Sequence, residues 1–540
     1  MKNKFTPHNI HYGLIWTKPI SIVLLFLTFS LSTFGQTGNT ETNVIKAIQF
    51  DITRPLSEIF AENPVPKDFS IPKAENPDRK KRTPQSFPLA KEGDPIFGND
   101  ESTIQRAVGE VEGLPTKVNW TGQTGGGGGR PYDPSGAIGP NHYIQMINAT
   151  TFNIYDKVTG TVLLTGTLGN LWSPAVGNMG DPVVMYDKPA NRWFLAQFGS
   201  GNKIYIAVST SANPLGTWYT YTYTSPQFPD YLKFGVWHDA YYMTSNQSTQ
   251  KVFAFNRSEI LAGTPGARSI FVNYSPPIPS GFFCPLPADA GDGTLPAPGT
   301  PCPILSYSDN GWGSGFNDAV NIYNMSINWV PTTPTATITL AANVATAAFN
   351  ANYNPSWNDC VQPGTTQKLD GIGGVLMYRS QWKSWPGYNS LVLNWGVEIS
   401  ASQRGIKWCE LRQTGGVWSM YQEGIFSPGG DTRWMGSIAQ NDQGAIGLCY
   451  IRSNSTSMYP SLYYTGRRSC DPLGTLPVTE TLVAAGTGYQ SGTNRVGDYS
   501  HMTIDPSNGT TFWATSEFMG GTSGFGAART RIFSFDIAQE

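Results

Sequence analysis

The sequence predicts an all-β protein built from one repeated unit of short strands, and three observations support this prediction. The chain has 540 residues, of which 13% are aromatic and 14% are charged, and it contains 59 glycines and 40 prolines. Such a composition, with few charges and many turn-forming residues, is typical of strands joined by turns. No long segment shows the apolar periodicity of an amphipathic helix. The third observation is the repeat itself.

The repeat is clearest near the end of the chain. Arg495 and Asp498 form a charged start, which is followed by an alternating strand at 499–504, a turn at 505–509 and an aromatic-rich strand at 510–518. Apolar residues at every second position, bounded by Asp, Pro, Asn and Gly, are the signal of a β-hairpin. The same parts recur upstream in the same order, which gives seven copies at residues 133–172, 180–225, 230–275, 284–345, 366–425, 432–490 and 494–537.

Self-similarity at this period, with four short strands in a copy, predicts a seven-bladed β-propeller. The fourth copy is the least regular, so a six-bladed propeller with a large insertion is the alternative. A β-sandwich is disfavoured because its strands need no shared charged start. Since an open sheet edge invites aggregation, we expect the last strand, at 531–537, to share a sheet with the other end of the propeller chain.

The chain divides into a predicted signal peptide at 1–35, an extended arm or linker at 36–115 and the propeller at 116–540. The first segment carries three lysines before an apolar stretch at 20–31, which is shorter than the ~20 residues of a membrane-spanning helix. The arm is rich in proline and charge, which favours an extended path along the propeller. We therefore expect a monomer without a membrane span that is secreted, periplasmic or located at the cell surface.

The chain contains six cysteines, and an exported chain meets an oxidising compartment in which cysteines pair. Cys284 and Cys302 flank a loop rich in Pro, Gly and Asp, and we predict a disulfide between them. The other four cysteines allow three connectivities, among which the sequence does not select. Asp289 and Asp292 in the same loop do not match the EF-hand spacing, which favours a solvated turn over a calcium site. No cysteine spacing indicates zinc, and no metal site is predicted.

The candidate site follows from the charged starts of the repeats. The innermost strands of a propeller converge on its axis, so their ends surround a funnel. Fixed cations in a partly dry funnel suit the carboxylate or sulfate groups of an acidic glycan. The alternative is that each charge tethers its blade to the next one through backbone hydrogen bonds. The predicted ligand-binding residues are Asp181, Lys233, Lys368, Arg433, Arg495 and Asp498.

These features predict a propeller that binds or cleaves an acidic polysaccharide at its axial funnel, without a cofactor. If the protein is an enzyme, it is expected to be a glycoside hydrolase or a polysaccharide lyase, although the sequence identifies no catalytic residue. Trp382, Trp385 and Tyr388 lie in one aromatic loop, which suits either stacking on sugar rings or filling the space between blades. The alternative function is a non-catalytic surface or scaffold propeller whose loops contact proteins. A formal net charge of −2 gives no reason to expect nucleic acid as a partner.

Several motifs also carry a resemblance. The chain reads D-P-S-G-A-I-G-P-N-H-Y at 133–143, P-D-Y-L-K-F-G-V-W at 229–237 and P-G-T-T-Q-K-L-D at 363–370. With the segments at 432–439 and 495–500, these motifs resemble a widespread, largely uncharacterised family of secreted bacterial β-propellers. The resemblance implies a propeller over about 130–537 but brings no established reaction. Val496 stands where this family usually has Trp.

A second, more distant resemblance concerns the last repeat. The turn that follows Thr503, with Asp505, Gly509 and Trp513, looks like the Asp-box of sialidases with extra residues between Asp and Gly. The F/Y-R-I-P motif of sialidases is absent from the sequence. The resemblance therefore does not imply sialidase activity, and Arg433 and Arg495 correspond to carboxylate-binding arginines only by analogy of position.

Overall fold

The structure is a computed structural model that describes residues 43–65, 98–124, 131–277, 282–313, 315–351, 357–524 and 526–539. The predicted signal peptide lies outside these ranges. Ahead of the repeats, the described chain forms β1 (Asn43–Lys46), β2 (Gln49–Ile52), helix α1 (Leu56–Glu62), a 3-10 helix (Glu101–Thr103), β3 (Ile104–Gln105) and β4 (Val118–Thr121). None of the helices in the described ranges has the length and apolar character needed to cross a membrane.

The repeats form antiparallel meanders, which we number as blades 1 to 7. Blade 1 contains β5 (Ser135–Ile138), β6 (His142–Ile147), β7 (Thr151–Asp156) and β8 (Val162–Thr167). Blade 2 contains β9 (Gly180–Asp187), β10 (Arg192–Gly199), β11 (Lys203–Ser209) and β12 (Trp218–Thr224). Blade 3 contains β13 (Asp230–Val236), β14 (Ala240–Asn246), β15 (Lys251–Asn256) and β16 (Arg268–Asn273). Blade 4 contains β17 (Leu286–Asp289), β18 (Cys302–Ser308), β19 (Ala319–Asn328) and β20 (Thr335–Ala345).

The remaining blades follow the same order. Blade 5 contains β21 (Ser380–Trp385), β22 (Tyr388–Ser400), β23 (Gln403–Thr414) and β24 (Val417–Phe426). Blade 6 contains β25 (Thr432–Gln440), β26 (Ile446–Ser453), β27 (Ser461–Arg467) and β28 (Thr481–Ala484), and blade 7 contains β29 (His501–Ile504), β30 (Phe512–Phe518) and β31 (Arg529–Phe535). Short connecting helices are the 3-10 turns Leu168–Leu171 and Asn310–Trp312 and helix α2 (Arg257–Leu261).

The first strand of each blade is its innermost strand, and these strands run in a common direction around one axis. In blades 4 and 5 they approach closely enough to pair, because Ala288 of β17 lies opposite Ser380 of β21 in a parallel bridge. This bridge joins the two blades into one nine-stranded sheet. The protein is therefore an all-β β-propeller. The count of seven blades is our interpretation of the strand order.

The N-terminal arm supplies outer strands to several blades. Strand β1 pairs antiparallel with β16, β2 pairs antiparallel with β12, and β3 pairs parallel with β24. Strand β4 pairs with β31 and completes the sheet of blade 7, so both ends of the propeller chain lie in one sheet. In each case a strand that precedes the repeats, from the arm or, for β4, from just after it, satisfies the backbone hydrogen bonds of an edge strand.

A β-bulge recurs at the start of the innermost strands. The register shifts at residues 181–182 of β9, at 231–232 of β13 and at 435–436 of β25, so that two residues oppose one. The first residue of each bulge has a positive φ: 49° at Asp181, 57° at Tyr231 and 56° at Met435. Such a bulge redirects the side chains at its position. Side-chain direction at the starts of these strands therefore departs from simple alternation.

The predicted disulfide between Cys284 and Cys302 is not formed, and both residues are buried free thiols. The pairing of Leu286 with Leu305 and of Pro287 with Ile304 explains this difference. Extended in both directions, this register places Cys302 opposite residue 289, about five residues along the strand from Cys284. At ~3.3 Å per residue this offset is on the order of 16 Å, well beyond the Cα separation of a disulfide.

Candidate functional site

The predicted ligand-binding residues lie at or before the starts of innermost strands, on what we call the start side of the axis. Two carboxylates there bind backbone amides of other blades. Oδ2 of Asp181 accepts a hydrogen bond from the amide of Tyr231 at 2.9 Å, and Oδ1 of Asp133 accepts one from the amide of Asp498 at 2.6 Å. Because the acceptors and donors belong to different blades, these carboxylates tether one blade to the next.

Lys233 lies inside this group. Its side chain is buried, and Nζ lies 3.4 Å and 4.0 Å from the ring centroids of Tyr231 and Tyr499. Nζ donates to the carbonyl oxygens of Tyr231 and Leu232 at 3.3 Å and 3.2 Å. Burial lowers the pKa of Lys233 to about 8, although nearby Cys284 and the carboxylates, including Asp181, oppose this shift. The ammonium group is therefore enclosed by protein.

Arg495 holds the same group from the side of blade 7. Its Nη1 contacts Oδ2 of Asp370 at 2.6 Å, and its Nη2 contacts the carboxylate of Asp498. The hydroxyl of Tyr231 donates to the carbonyl of Asp498 at 3.0 Å, which links Arg495 to the surroundings of Lys233. The structure thus brings Asp181, Lys233, Arg495 and Asp498 into one hydrogen-bonded cluster.

Lys368 and Arg433 are held by different partners. Nζ of Lys368 donates to the carbonyl of Ala401 at 3.4 Å. Arg433 is buried, and its Nε and Nη2 bind the two carboxylate oxygens of Glu480 at 2.8 Å each. Arg452 and Tyr450 bind the same glutamate. The six predicted residues therefore have protein partners that suit tethering, and their role in ligand binding stays a prediction.

Further along the axis lies a buried ion-pair cluster that the sequence analysis missed. Nη1 of Arg379 contacts Oδ2 of Asp289 at 2.6 Å, its Nη2 contacts Asp292, and its Nε donates to the carbonyl of Met502 at 3.0 Å. The expectation of a solvated turn at Asp289 and Asp292 is therefore wrong, because both carboxylates are buried against this arginine. In the described chain, no group of three or more His, Cys, Asp and Glu side chains could hold a metal ion.

His501 occupies the same region. Its ring centroid lies 4.8 Å from that of Tyr378, and its Nδ1 is 3.3 Å from the hydroxyl of Ser135. Burial and the positive charge of Arg379 hold the pKa of His501 well below its ordinary value. The imidazole is therefore neutral and packed, in agreement with a structural role.

The opposite side of the axis, where the innermost strands end, holds a cavity of about 680 Å³, which we call the mouth cavity. Turns of blades 2, 4, 5 and 6 contribute to its wall. The lining residues are Lys188, Pro189, Gly293, Thr294, Leu295, Lys383, Ser384, Trp385 and Asp442. None of the six predicted ligand-binding residues belongs to this lining, because they lie at the other ends of the innermost strands.

Two lysines and a tryptophan give the mouth cavity its chemistry. Nζ of Lys383 binds the carboxylate of Asp442 and lies 5.7 Å from the ring centroid of Trp385. Burial lowers the pKa of Lys383 below its ordinary value, Asp442 opposes this shift, and the positive charge of Lys188 adds to it. Within the described ranges, the ammonium of Lys188 has no hydrogen bond or ion pair. The indole of Trp385 is fixed by a 2.8 Å hydrogen bond from Nε1 to Ser390.

The sequence pointed to part of this site. Trp385 belongs to the aromatic loop for which both sugar stacking and packing between blades were considered. Lys188 and Lys383 were missed because they lie in ordinary turn and strand contexts, D-K-P-A-N-R and Q-W-K-S-W. Their position in the repeats could have indicated this role. Both lysines lie at the end of an innermost strand, and these strand ends surround the mouth of the axis.

Comparison with solved structures finds β-propellers whose sequence identity and TM-score with this chain are both low. No family model matches the chain, and no curated protein matches it. The β-propeller domain of Cps50 (Swd1) from Myceliophteria thermophila has a TM-score of 0.37 at 9% identity and covers 78% of this chain and 100% of its own. The RRP9 WD40 repeats have a TM-score of 0.39 at 8% identity, with coverages of 79% and 100%. BamB from Moraxella catarrhalis has a TM-score of 0.35 at 8% identity, with coverages of 78% and 100%.

At these TM-scores the structural similarity supports no conclusion about function. The class of the protein, a β-propeller, follows from the strand order. The resemblance to secreted bacterial propellers and to the sialidase Asp-box stays a prediction.

Proposed function

We propose that the protein binds an acidic glycan in the mouth cavity. The observation that carries the proposal is the convergence of Lys188 and Lys383 with Trp385 in one cavity of about 680 Å³. Ammonium groups bind carboxylate or sulfate, and an indole offers an apolar face to a sugar ring. The volume lies within the range of about 300–1,000 Å³ that is usual for small-ligand sites. We also propose that the protein is exported, because residues 1–35 have the sequence pattern of a signal peptide.

The two lysines differ in their exposure to a ligand anion, because Lys188 is partly exposed and Lys383 is buried. Lys188 has no competing carboxylate among the described residues. Lys383 is bound to Asp442, whose side chain is 46% exposed. Because the Lys383 side chain itself is only 6% exposed, a ligand anion reaches its ammonium from the side of Asp442 and shares it, rather than replacing this carboxylate, since breaking a buried pair costs about 3–5 kcal/mol. On the start side Lys233 and Arg433 are also buried, and the carboxylate of Glu480 that binds Arg433 is only 5% exposed.

Binding, rather than cleavage, is the activity that the lining supports. Glycoside hydrolysis generally uses two carboxyl groups, one on each side of the scissile bond. Among the described residues that line the mouth cavity, Asp442 is the one carboxylate, and it is paired with Lys383. We therefore assign neither hydrolase nor lyase activity to this cavity, and turnover is a result that the test below would reveal.

The test is calorimetric titration with polyuronates, sulfated polysaccharides and a neutral polysaccharide. Wild-type protein is expected to bind the acidic polymers and not the neutral one. Lys188→Gln, Lys383→Gln and Trp385→Ala should each weaken binding about tenfold, which corresponds to ~1.4 kcal/mol. Lys46→Gln is the matched control, because Lys46 is an exposed lysine on β1, at the outer edge of blade 3. Melting temperatures should show that every variant is folded.

Two results would contradict the proposal. Wild-type protein that binds no acidic polymer would favour the scaffold alternative, in which the loops contact proteins. Acidic-glycan binding that survives all three mouth variants would place the site elsewhere, with Arg495 of the start-side cluster as the next residue to replace. Release of reducing ends or unsaturated products by wild-type protein would show that the propeller is an enzyme.

A further inference from the structure

A line of aromatic and charged side chains crosses blade 5 from the mouth cavity toward the outer edge of the blade. Trp385, Tyr388, Arg412 and Tyr421 belong to β21, β22, β23 and β24 in that order. Each lies within a few residues of the strand end on the mouth side. Because neighbouring strands are ~4.8 Å apart, the line extends about 14 Å.

Consecutive members of this line are in contact. The ring centroids of Trp385 and Tyr388 are 6.2 Å apart, with an angle of 18° between the ring planes. The guanidinium carbon of Arg412 lies 4.1 Å from the ring centroid of Tyr388 and 3.2 Å from that of Tyr421. With Lys383 beside Trp385 in the cavity, the line contains two cations and three aromatic rings from the axis outward.

The line is both fixed and accessible. Nε of Arg412 binds Glu410 at 2.7 Å, and the buried Glu410 also accepts a hydrogen bond from Gln422 at 2.6 Å. The two Nη groups of Arg412 have no hydrogen bond to any described residue, and 24% of its side chain is exposed. Tyr421 is 38% exposed. A surface that is ordered before binding loses less conformational entropy when a ligand arrives.

We infer that the glycan is a polymer whose chain leaves the mouth cavity and crosses blade 5 along this line. The inference rests on the proposed function, which it deepens by naming a ligand several sugar units long. Sugar rings lie against Trp385 and Tyr421, and an acidic group of the chain meets the Nη groups of Arg412. Tyr388 is stacked between Trp385 and Arg412 and holds the line in place. Cations and aromatic rings side by side suit a chain in which every sugar unit carries both an apolar ring face and a negative charge.

The test is the dependence of affinity on ligand length, measured with a disaccharide, a tetrasaccharide and an octasaccharide of one uronic acid. Wild-type protein should bind the octasaccharide at least about tenfold more tightly than the disaccharide. Tyr421→Ala should remove most of this gain and leave disaccharide binding unchanged, since Tyr421 lies outside the cavity. Arg412→Gln should do the same and should also reduce the salt dependence of octasaccharide binding, because one contacting charge is lost.

Tyr463→Ala is the matched control. Tyr463 packs on Arg452 at 5.1 Å in blade 6, near the start side of the propeller, and it should leave both affinities unchanged. A length dependence that is the same in wild-type protein, Tyr421→Ala and Arg412→Gln would overturn the inference and leave the proposed function standing. If wild-type protein binds none of these oligomers and none of the acidic polymers of the first test, the proposed function itself is refuted. Melting temperatures separate loss of binding from loss of fold.

Discussion

The buried Lys233 makes the stability of the protein depend on pH in a way that can be measured. Burial lowers its pKa from 10.5 to about 8, a difference of about 2.5 units at ~1.36 kcal/mol per unit. Below pH 8 the lysine is charged in both the folded and the unfolded protein. The folded state then carries an electrostatic cost of about 3 kcal/mol relative to a neutral lysine.

The sign of the effect follows from proton binding. Between about pH 8 and pH 10.5 the folded lysine has lost its proton while the unfolded lysine still holds it. The unfolded state therefore binds more protons, so the free energy of unfolding rises with pH by up to ~1.4 kcal/mol per unit. The total contribution of this one group over the interval is about 3 kcal/mol.

The replacement Lys233→Met tests this reasoning, because it keeps the unbranched stem and removes the titrating group. The variant also loses the hydrogen bonds of Nζ to the carbonyls of Tyr231 and Leu232, which shifts its stability at every pH. The informative quantity is therefore the difference between wild type and variant as a function of pH. It should change by about 3 kcal/mol in favour of the wild type between pH 7.5 and pH 10.5.

The assay is urea unfolding at closely spaced pH values, with Lys46→Met as the control for an exposed lysine. The control should run parallel to the wild type over the whole interval, since Lys46 is exposed and its replacement leaves the surroundings of Lys233 intact. Parallel curves for wild type and Lys233→Met would refute the reasoning. They would show that the ammonium group of Lys233 is solvated rather than enclosed.

Three further predictions concern the fold. Arg433→Ala should lower the free energy of unfolding by about 3 kcal/mol, because it removes a partner of Glu480, whose side chain is only 5% exposed, and it should leave glycan affinity unchanged; a loss of affinity at unchanged melting temperature would contradict the tethering role. Deletion of 529–540 removes β31 and leaves β4 and β30 without their shared neighbour, so gel filtration should show aggregates; a soluble product with an unchanged melting temperature is the opposing result. Cys284 and Cys302 should both be alkylated on unfolding without a reductant, and a peptide in which they are linked would contradict the structure.

Much of the fold could be predicted from the sequence because the relevant signals are local. The alternation around Met502 and the turn that begins at Asp505 specify a hairpin whatever the rest of the chain does. The aromatic-rich strand predicted at 510–518 coincides closely with β30 (Phe512–Phe518). The expected disulfide was wrong because loop sequence alone does not give the register that separates Cys284 from Cys302.

The site was less predictable, and the bulges explain part of the difficulty. At Asp181 and Tyr231 the strand carries an extra residue with positive φ, so side-chain direction departs from simple alternation. The charged starts were recognised, but the partners that hold them could not be foreseen. Arg379 was missed altogether, because its carboxylate partners come from a loop about ninety residues earlier in the chain.

The sequence by itself determined the class of this protein: short alternating strands, turn residues between them, and one repeated order of parts. These properties depend on neighbours along the chain, which a reader of the sequence can see. Only the tertiary structure decided that Lys188, Lys383, Trp385 and Asp442 meet in one cavity while the charged starts bind one another on the far side of the axis. Which side chains meet around the axis depends on how the blades pack and where the bulges shift the register, and these are relations between segments that lie far apart in the sequence.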